Sequence, residues 1–216
     1  MKLVIGNKNY SSWSLRAWLL LSANEIPFEE IRVPLSQSDS QAELRKYSDA
    51  AKVPVLLDED TVIWDSLAIN EYISEQYLEG QGWPNDPIAR AIARSCCAEM
   101  HSSFFSIREK MPMNCRALGR EIEIDQNLGK EILRVDSLWT EIIQQYSNDG
   151  SGLFGGFTIA DCMFAPIVFR FNTYNVEISD IAQNYVNKML DHPSMQNWLS
   201  HARAEKEMIE IEELGM

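Results

Sequence analysis

The chain lacks an apolar run of the roughly 18 residues that a membrane-spanning helix needs, so no membrane association is expected. It lacks a C-x-x-C pair, which leaves no signal for a zinc ribbon or a dithiol redox site. Its four cysteines are Cys96, Cys97, Cys115 and Cys162. Two of them are adjacent and poorly placed to pair, so a disulfide framework is not expected and a reducing, cytoplasmic setting fits. Histidine is scarce: His101, His192 and His201 fall at no ligand spacing, and no metal site is expected. Positive charge is short as well, with 19 Lys and Arg against 32 Asp and Glu and a net charge of −13. That balance repels phosphate backbones and anionic lipid, so neither nucleic acid nor a membrane surface is expected as a partner. The opening residues 1–6 are too short an apolar stretch for a secretory leader, and Asn7, Lys8 and Asn9 follow at once.

What is present is an ordinary soluble composition: 216 residues, 45% hydrophobic, enough for one large domain or two small ones. Residues 1–80 alternate strand and helix. An apolar run at 2–6 reads as a strand. Leu15, Trp18 and Leu19 fall on one helical face, and Asn24-Glu25-Ile26-Pro27 ends that helix. Residues 28–34 alternate as a second strand, and 36–47 are weakly helical. Two short runs at 55–57 and 61–64 flank Asp58-Glu59-Asp60 and make a hairpin. A helix is expected over 66–77. The order is β-α-β-α-β-β-α. Residues 79–87, rich in Gly and Pro, mark a linker. Beyond it only helices are expected: one long one over 88–110, another over 121–146, then 159–174, 178–190 and 195–204. The acidic tail 205–213 reads as a solvated end.

Three places carry chemistry. The first is Tyr10-Ser11-Ser12-Trp13-Ser14-Leu15-Arg16, between strand and helix. Serines there cap a helix. The same helix N-terminus, with free N–H groups and partial positive charge, also stabilises a thiolate. No base lies near in sequence, so a serine hydrolase is not indicated. The second is Lys52-Val53-Pro54-Val55, where the Val-Pro bond is either a turn proline or a cis peptide. In the cis form Val53 presents its backbone to an extended peptide. The third is Asp65-Ser66, which closes a strand and opens a helix. It either caps that helix or holds an α-amino-carboxylate group, Asp65 on the ammonium and Ser66 on the carboxylate.

Together, in this β-α-β-α-β-β-α order, these motifs resemble the glutathione transferase family. The Phe157-Thr158-Ile159-Ala160-Asp161 stretch is similar to the capping box of that family's second domain. The resemblance implies an α+β fold, with a thioredoxin-like domain over 1–80 and an all-α helical bundle over 86–216. It implies reduced glutathione as co-substrate, a small-molecule electrophile as second substrate, and a homodimer. The expected activity is glutathione S-transferase, conjugating glutathione to an apolar electrophile in a detoxifying role. The alternatives are glutathione-dependent cis–trans isomerisation, as in maleylacetoacetate isomerase, and a non-catalytic glutathione-binding module.

Ser-Ser-Trp-Ser-Leu-Arg most resembles the Ser-Ser-Cys-Ser-x-Arg motif of zeta-class enzymes. By that match the thiol is activated by Ser11, with Ser12 and then Tyr10 as the next hydroxyls. Trp13 stands where the motif has Cys, which excludes cysteine chemistry there. Val53 and Pro54 match the family's peptide-pairing position, and Asp65 and Ser66 its γ-glutamyl pair. Lys52 and Gln37 are placed for the glycine end. A second pocket is expected from Tyr10, Trp13, Met100, Phe104, Ile107, Arg108 and Arg170, with His101 beside them. The family's isomerases carry an arginine on the helix after the capping box. Thr173 falls near that place here and Arg170 about one turn earlier. Arg16 matches the arginine of the motif, and its place on a helix face also suits a structural role.

Overall fold

The computed structural model describes residues 1–147 and 150–216. Its elements run β1 (Lys2–Ile5), α1 (Ser12–Ala23), β2 (Glu29–Arg32), α2 (Ser40–Arg45), β3 (Val55–Asp58), β4 (Thr61–Trp64) and α3 (Ser66–Tyr77). Six helices follow: α4 (Pro87–Ser102), α5 (Phe105–Lys110), α6 (Gln126–Ile142), α7 (Ile159–Thr173), α8 (Asp180–Asp191) and α9 (Pro193–Ala204). The sheet order is β2-β1-β3-β4; β1 and β2 are parallel, and β3 and β4 each run antiparallel to their neighbour. This is the expected thioredoxin-like sheet followed by helices alone. No helix among the described residues is long and apolar enough to cross a membrane.

Alternation along β1 divides the core. Leu3 and Ile5 enter the main core, whereas Val4 faces a smaller one with Val33, Leu44, Ala51 and Val55. Helices α1 and α7 are apolar around most of their circumference because each is enclosed on several sides. They pack on each other, so the main core runs without a break from the sheet into the helices. The connection at 79–87 is pinned to both halves: the Gly82 carbonyl accepts Ile159 N of α7 at 2.8 Å, and two bonds run to α3. Trp83 is buried and its Nε1 donates to Glu71 at 2.8 Å, while Gly82 takes Ser74 Oγ on its N–H at 3.1 Å. A Cβ on Gly82 would lie 2.7 Å from that hydroxyl, so the close approach requires glycine.

Three expectations need correction. The helix over 88–110 is two helices, broken where Phe104 adopts a left-handed backbone, φ 62°. Tertiary caps hold the break open. The Arg108 guanidinium donates to the carbonyls of Met100, His101 and Ser103 at the end of α4, and Glu131 accepts the Ser106 and Ile107 amides at the start of α5. The second long helix begins later than expected, at Gln126 behind an Asp125 cap, and finishes in a π-helical turn at Ile143–Ser147. The acidic tail is docked rather than solvated: Ile209 is buried, and the Glu205 and Glu213 carboxylates face inward.

All four cysteines are unpaired and buried. Burial pushes the Cys97, Cys115 and Cys162 thiols up, away from reactivity.

Asp161 is the hub of the capping box. Its carboxylate accepts from Thr158 N at 2.8 Å, Thr158 Oγ1 at 3.0 Å, Leu153 N at 2.9 Å and Tyr185 Oη at 3.1 Å. Each buried donor left without an acceptor costs roughly 1–3 kcal/mol. Asp161→Ala is therefore expected to lower stability by about 3 kcal/mol or more in urea unfolding. A loss below about 1 kcal/mol would contradict this role for Asp161.

Candidate functional site

Strand register gathers the three motifs at one end of the sheet. Val4 pairs with Val55, which pairs with Trp64. The residues just beyond these positions, Ile5-Gly6 at the end of β1, Val53-Pro54 before β3 and Asp65-Ser66 after β4, therefore form one row. Because β2 runs parallel to β1, its exit toward Gln37 opens at the same end.

The serine loop caps α1. Ser11 is the N-cap, and its Oγ accepts Ser14 N at 3.4 Å and donates to Ser14 Oγ at 2.8 Å; Ser14 Oγ in turn accepts Gly6 N at 3.0 Å. The Ser11 hydroxyl is thus turned into the fold. Ser12, the first residue of the helix, has no hydrogen-bond partner for its hydroxyl among the described residues. Tyr10 leaves this row: its Oη donates to Glu213 at 2.6 Å and accepts from Arg116 at 2.7 Å. Burial and the Glu213 hydrogen bond push the Tyr10 phenol up.

The Val53-Pro54 bond is cis. The Val53 amide finds no partner among the described residues. Pro54 is buried, and Lys52 is exposed beside it. Asp65 has a φ of 79°, and its Oδ1 caps α3 through Leu67 N at 2.9 Å and Ala68 N at 3.2 Å. Its Oδ2 lies 3.2 Å from His101 Nε2 on α4. The Ser66 Oγ is buried without a partner. A free strand-like amide, a carboxylate oxygen outside the cap and an orphaned hydroxyl match the donor and acceptor needs of a γ-glutamyl peptide. Gln37 is exposed and its N–H is taken by Ser40, so it stands apart from these groups.

Positive charge comes from α1, α5 and α7. Arg16 and Arg170 are buried, 1% and 5% exposed, and each uses only Nε on a carbonyl, Met163 and Met111 respectively. Both Nη atoms of Arg16 and Nη1 of Arg170 are buried with no acceptor. Burial, then the charges of Arg108 and Arg170, push Arg16 down to about 9; burial, then Arg108, pushes Arg170 down to about 10. Each guanidinium stays charged at neutral pH, and the three repel one another. The Trp13 ring lies against two of them, 4.5 Å from Arg16 and 4.9 Å from Arg108, with His101 edge-on at 5.3 Å. Trp13 thereby links the serine loop to the arginines and, through His101, to Asp65. Met100, Phe104 and Ile107, expected to line a pocket, are buried in the main core.

Cavities of about 390, 560 and 550 Å³ open elsewhere, against α8, the end of α7, and α9 with the tail. None is lined by Ser12, Arg16, Arg108 or Arg170. Unpartnered donors, not empty volume, mark the site. Among the described residues no group of three His, Cys, Asp or Glu is placed to hold a metal.

Two features lay outside the sequence reading. The contact of His101 with Asp65 joins residues far apart in sequence and carries no local pattern. The unsatisfied state of Arg16 was equally hidden, although its place in the motif was visible.

Comparisons with known proteins agree with this layout. Residues 10–76 match the family model described as the glutathione S-transferase N-terminal domain. A probable maleylacetoacetate isomerase of Caenorhabditis elegans is 26% identical over 181 residues, 83% of this chain and 84% of that protein. A stringent starvation protein A homolog of Pasteurella multocida is 25% identical over 162 residues, 74% of this chain and 71% of that protein. Among solved structures, a glutathione transferase homolog from Burkholderia with bound glutathione superimposes with a TM-score of 0.72 at 23% identity, over 94% of this chain and 98% of that one. That last likeness establishes the fold.

A dicarboxylate such as malonate is expected to fill the arginine cluster and stabilise the folded chain. At a hundredfold excess over its dissociation constant the gain is about 2.7 kcal/mol, or roughly 5 °C or more in Tm for a chain of this size. Arg16→Met is expected to abolish the rise in thermal scans. An equal rise in the variant, or none in the unmodified protein, would contradict an anion site here.

Proposed function

We propose that this chain, whose residues 10–76 match the glutathione S-transferase N-terminal domain, is a glutathione-dependent enzyme whose second substrate carries carboxylate. The observation that carries this is the cluster of Arg16, Arg108 and Arg170, in which both Nη atoms of Arg16 and Nη1 of Arg170 are buried with no acceptor. An apolar electrophile, the expectation from sequence, would leave those donors unsatisfied and the charges unscreened, at a cost of several kcal/mol.

Glutathione supplies the sulfur nucleophile. The Val53 amide pairs with its cysteinyl peptide, while Asp65 and Ser66, at the start of α3, hold the γ-glutamyl head. Lys52, exposed beside Val53, takes the glycine carboxylate. The Ser12 hydroxyl and the first amides of α1 hold the sulfur as thiolate. Ser12 takes this role because Ser11 spends its proton on Ser14. The guanidiniums hold the second substrate's carboxylate and offset negative charge that develops beside it as the sulfur attacks. Trp13 separates that pocket from Asp65.

Cis–trans isomerisation of an unsaturated dicarboxylate fits best: the sulfur adds at one alkene carbon, the C–C bond rotates, and the sulfur leaves. Atoms balance with no further reactant. Conjugation to a carboxylated electrophile uses the same groups and stops after addition and protonation. A non-catalytic module is the second reading. It is favoured by the structural use of Ser11.

A homodimer belongs to the proposal as well. Trp64 and Val62 alternate on edge strand β4, Ile88 and Ile92 lie one turn apart on α4, and all four are exposed. Equilibrium sedimentation is expected to give twice the chain mass, and a monomer at micromolar concentration would contradict it.

For the reaction, glutathione-dependent isomerisation of a cis-enedioate is expected to exceed conjugation of a neutral aryl halide. Ser12→Ala is expected to lower kcat by about 10²-fold or more, as loss of a charge-stabilising donor does. Arg16→Met should raise KM for the carboxylated substrate and spare that for glutathione. Ser11→Ala is expected to cost mainly stability. Full turnover in Ser12→Ala would shift the role to Ser11, and no turnover of either substrate class in the unmodified protein would favour the binding module.

A further inference from the structure

The loop that delivers Ser11 and Ser12 draws only part of its hydrogen bonds from the sheet domain. Asn7 O accepts Tyr10 N and Ser11 N, and Asn7 Oδ1 accepts Leu35 N. Gly6 N and Ser11 Oγ reach Ser14 Oγ on α1, Ser12 N reaches Tyr10 O, and Lys8 Nζ pairs with Glu30 on β2; the remaining long-range bonds come from residues 114–116, α9 and the C-terminal segment. The Glu205 carboxylate accepts two successive amides, Lys8 N at 2.7 Å and Asn9 N at 3.0 Å. Asn9 is also bound on three sides by 114–116: its O takes Cys115 N, its Oδ1 takes Arg116 N and its Nδ2 donates to Asn114. Glu213 accepts Tyr10 Oη at 2.6 Å and Arg120 at 2.5 Å. Arg116 ties the pieces together, donating to the Glu205 carbonyl at 2.8 Å, the Glu207 carbonyl at 3.0 Å and Tyr10 Oη at 2.7 Å.

Both carboxylates are nearly sealed, with side chains 8% and 6% exposed for Glu205 and Glu213. Burial works to raise the Glu213 carboxyl, but the Tyr10 hydrogen bond and the charges of Arg120 and Arg116 outweigh it and hold the group below its usual value. Glu213 is therefore an anion at neutral pH.

We propose that the C-terminal segment 205–213 is a clasp that sets the position of the thiol-activating loop, with Glu205 and Glu213 as positioning residues. The proposal rests on the reading that Ser12 and the start of α1 hold the glutathione sulfur. A helix terminus and one hydroxyl stabilise a thiolate only at hydrogen-bond distance, and a displacement of about 1 Å in such a group costs on the order of 10²-fold in rate. Glu205 fixes the backbone two and three residues before Ser11. Glu213 fixes the side chain immediately before it. The groups that hold the rest of glutathione, Val53, Asp65 and Ser66, lie on other strands and do not depend on the tail. The clasp consequently acts on the sulfur's ionisation and leaves the peptide's grip unchanged.

The test uses the full chain and follows thiolate absorbance of bound glutathione against pH. Glu205→Gln and Glu213→Gln keep side-chain shape and remove the charge; Glu213→Gln, at the outer end of the tail, is the milder change. In both, the thiol pKa of bound glutathione is expected to rise by about one unit, a tenfold loss of thiolate at a pH below both values. kcat is expected to fall by a similar factor and the glutathione dissociation constant to stay within about twofold. Glu213→Asp, which retains the charge, should recover most of the loss. A merely structural tail would lower Tm and leave the thiol pKa unmoved, and that result would overturn the clasp. An unshifted thiol in the unmodified protein would instead overturn the assignment of thiolate activation, and the clasp with it.

Discussion

Arg16, Arg108 and Arg170 gather three positive charges in the interior, and no carboxylate lies within ion-pair distance of any of them among the described residues. A folded chain holds such charges only when the surrounding structure fixes them. Nε of Arg16 and Arg170 is bound to a carbonyl on or beside α7, Arg108 is spent on the end of α4, and Trp13 offers its face to two of the three. Desolvation and mutual repulsion lower Arg16 and Arg170. An anionic ligand relieves both effects at once. In the proposed function the arrangement trades stability of the empty protein for affinity toward a negatively charged substrate.

The break between α4 and α5 follows from the same constraint. Arg108 reaches the arginine cluster because the helix stops at Ser102 and its guanidinium folds back on the last carbonyls. An uninterrupted helix would satisfy those carbonyls internally and leave Arg108 without that anchor. On the other side, α1 carries both Ser12 and Arg16, one turn apart, so one rigid element fixes the spacing of these two residues. The sheet supplies the peptide-holding groups and the helices supply the charge, with α1 common to both.

The strands, the cis Val53-Pro54 bond, the Asp65 cap and the Asp161 hub were legible because each rests on a local pattern: alternation, an X-Pro step, a strand–helix junction, a Thr-x-x-Asp spacing. Four things were not. Ser11 and Ser12 are equivalent as letters, and only the fold shows that the Ser11 hydroxyl donates to Ser14. The helix over 88–110 reads as continuous because its break is held by Arg108 and Glu131, side chains that only the folded chain brings to the gap. The tail reads as solvated because its acidic residues find Lys8, Asn9, Tyr10, Arg116 and Arg120 from distant parts of the sequence. Tyr10 reads as one more hydroxyl for the thiol, whereas Glu213 and Arg116 turn it toward the tail.

The central claim is a spatial one: a thiolate on Ser12 and a carboxylate on the arginine cluster, side by side. A crystal structure of the protein with glutathione and a non-reactive dicarboxylate tests it most directly. The account predicts the sulfur within hydrogen-bond distance of Ser12 Oγ and a carboxylate bridging Arg16 to Arg108 or Arg170. A sulfur held by Ser11 or Tyr10, or a dicarboxylate bound elsewhere while the Arg16 Nη atoms stay unpartnered, would contradict it.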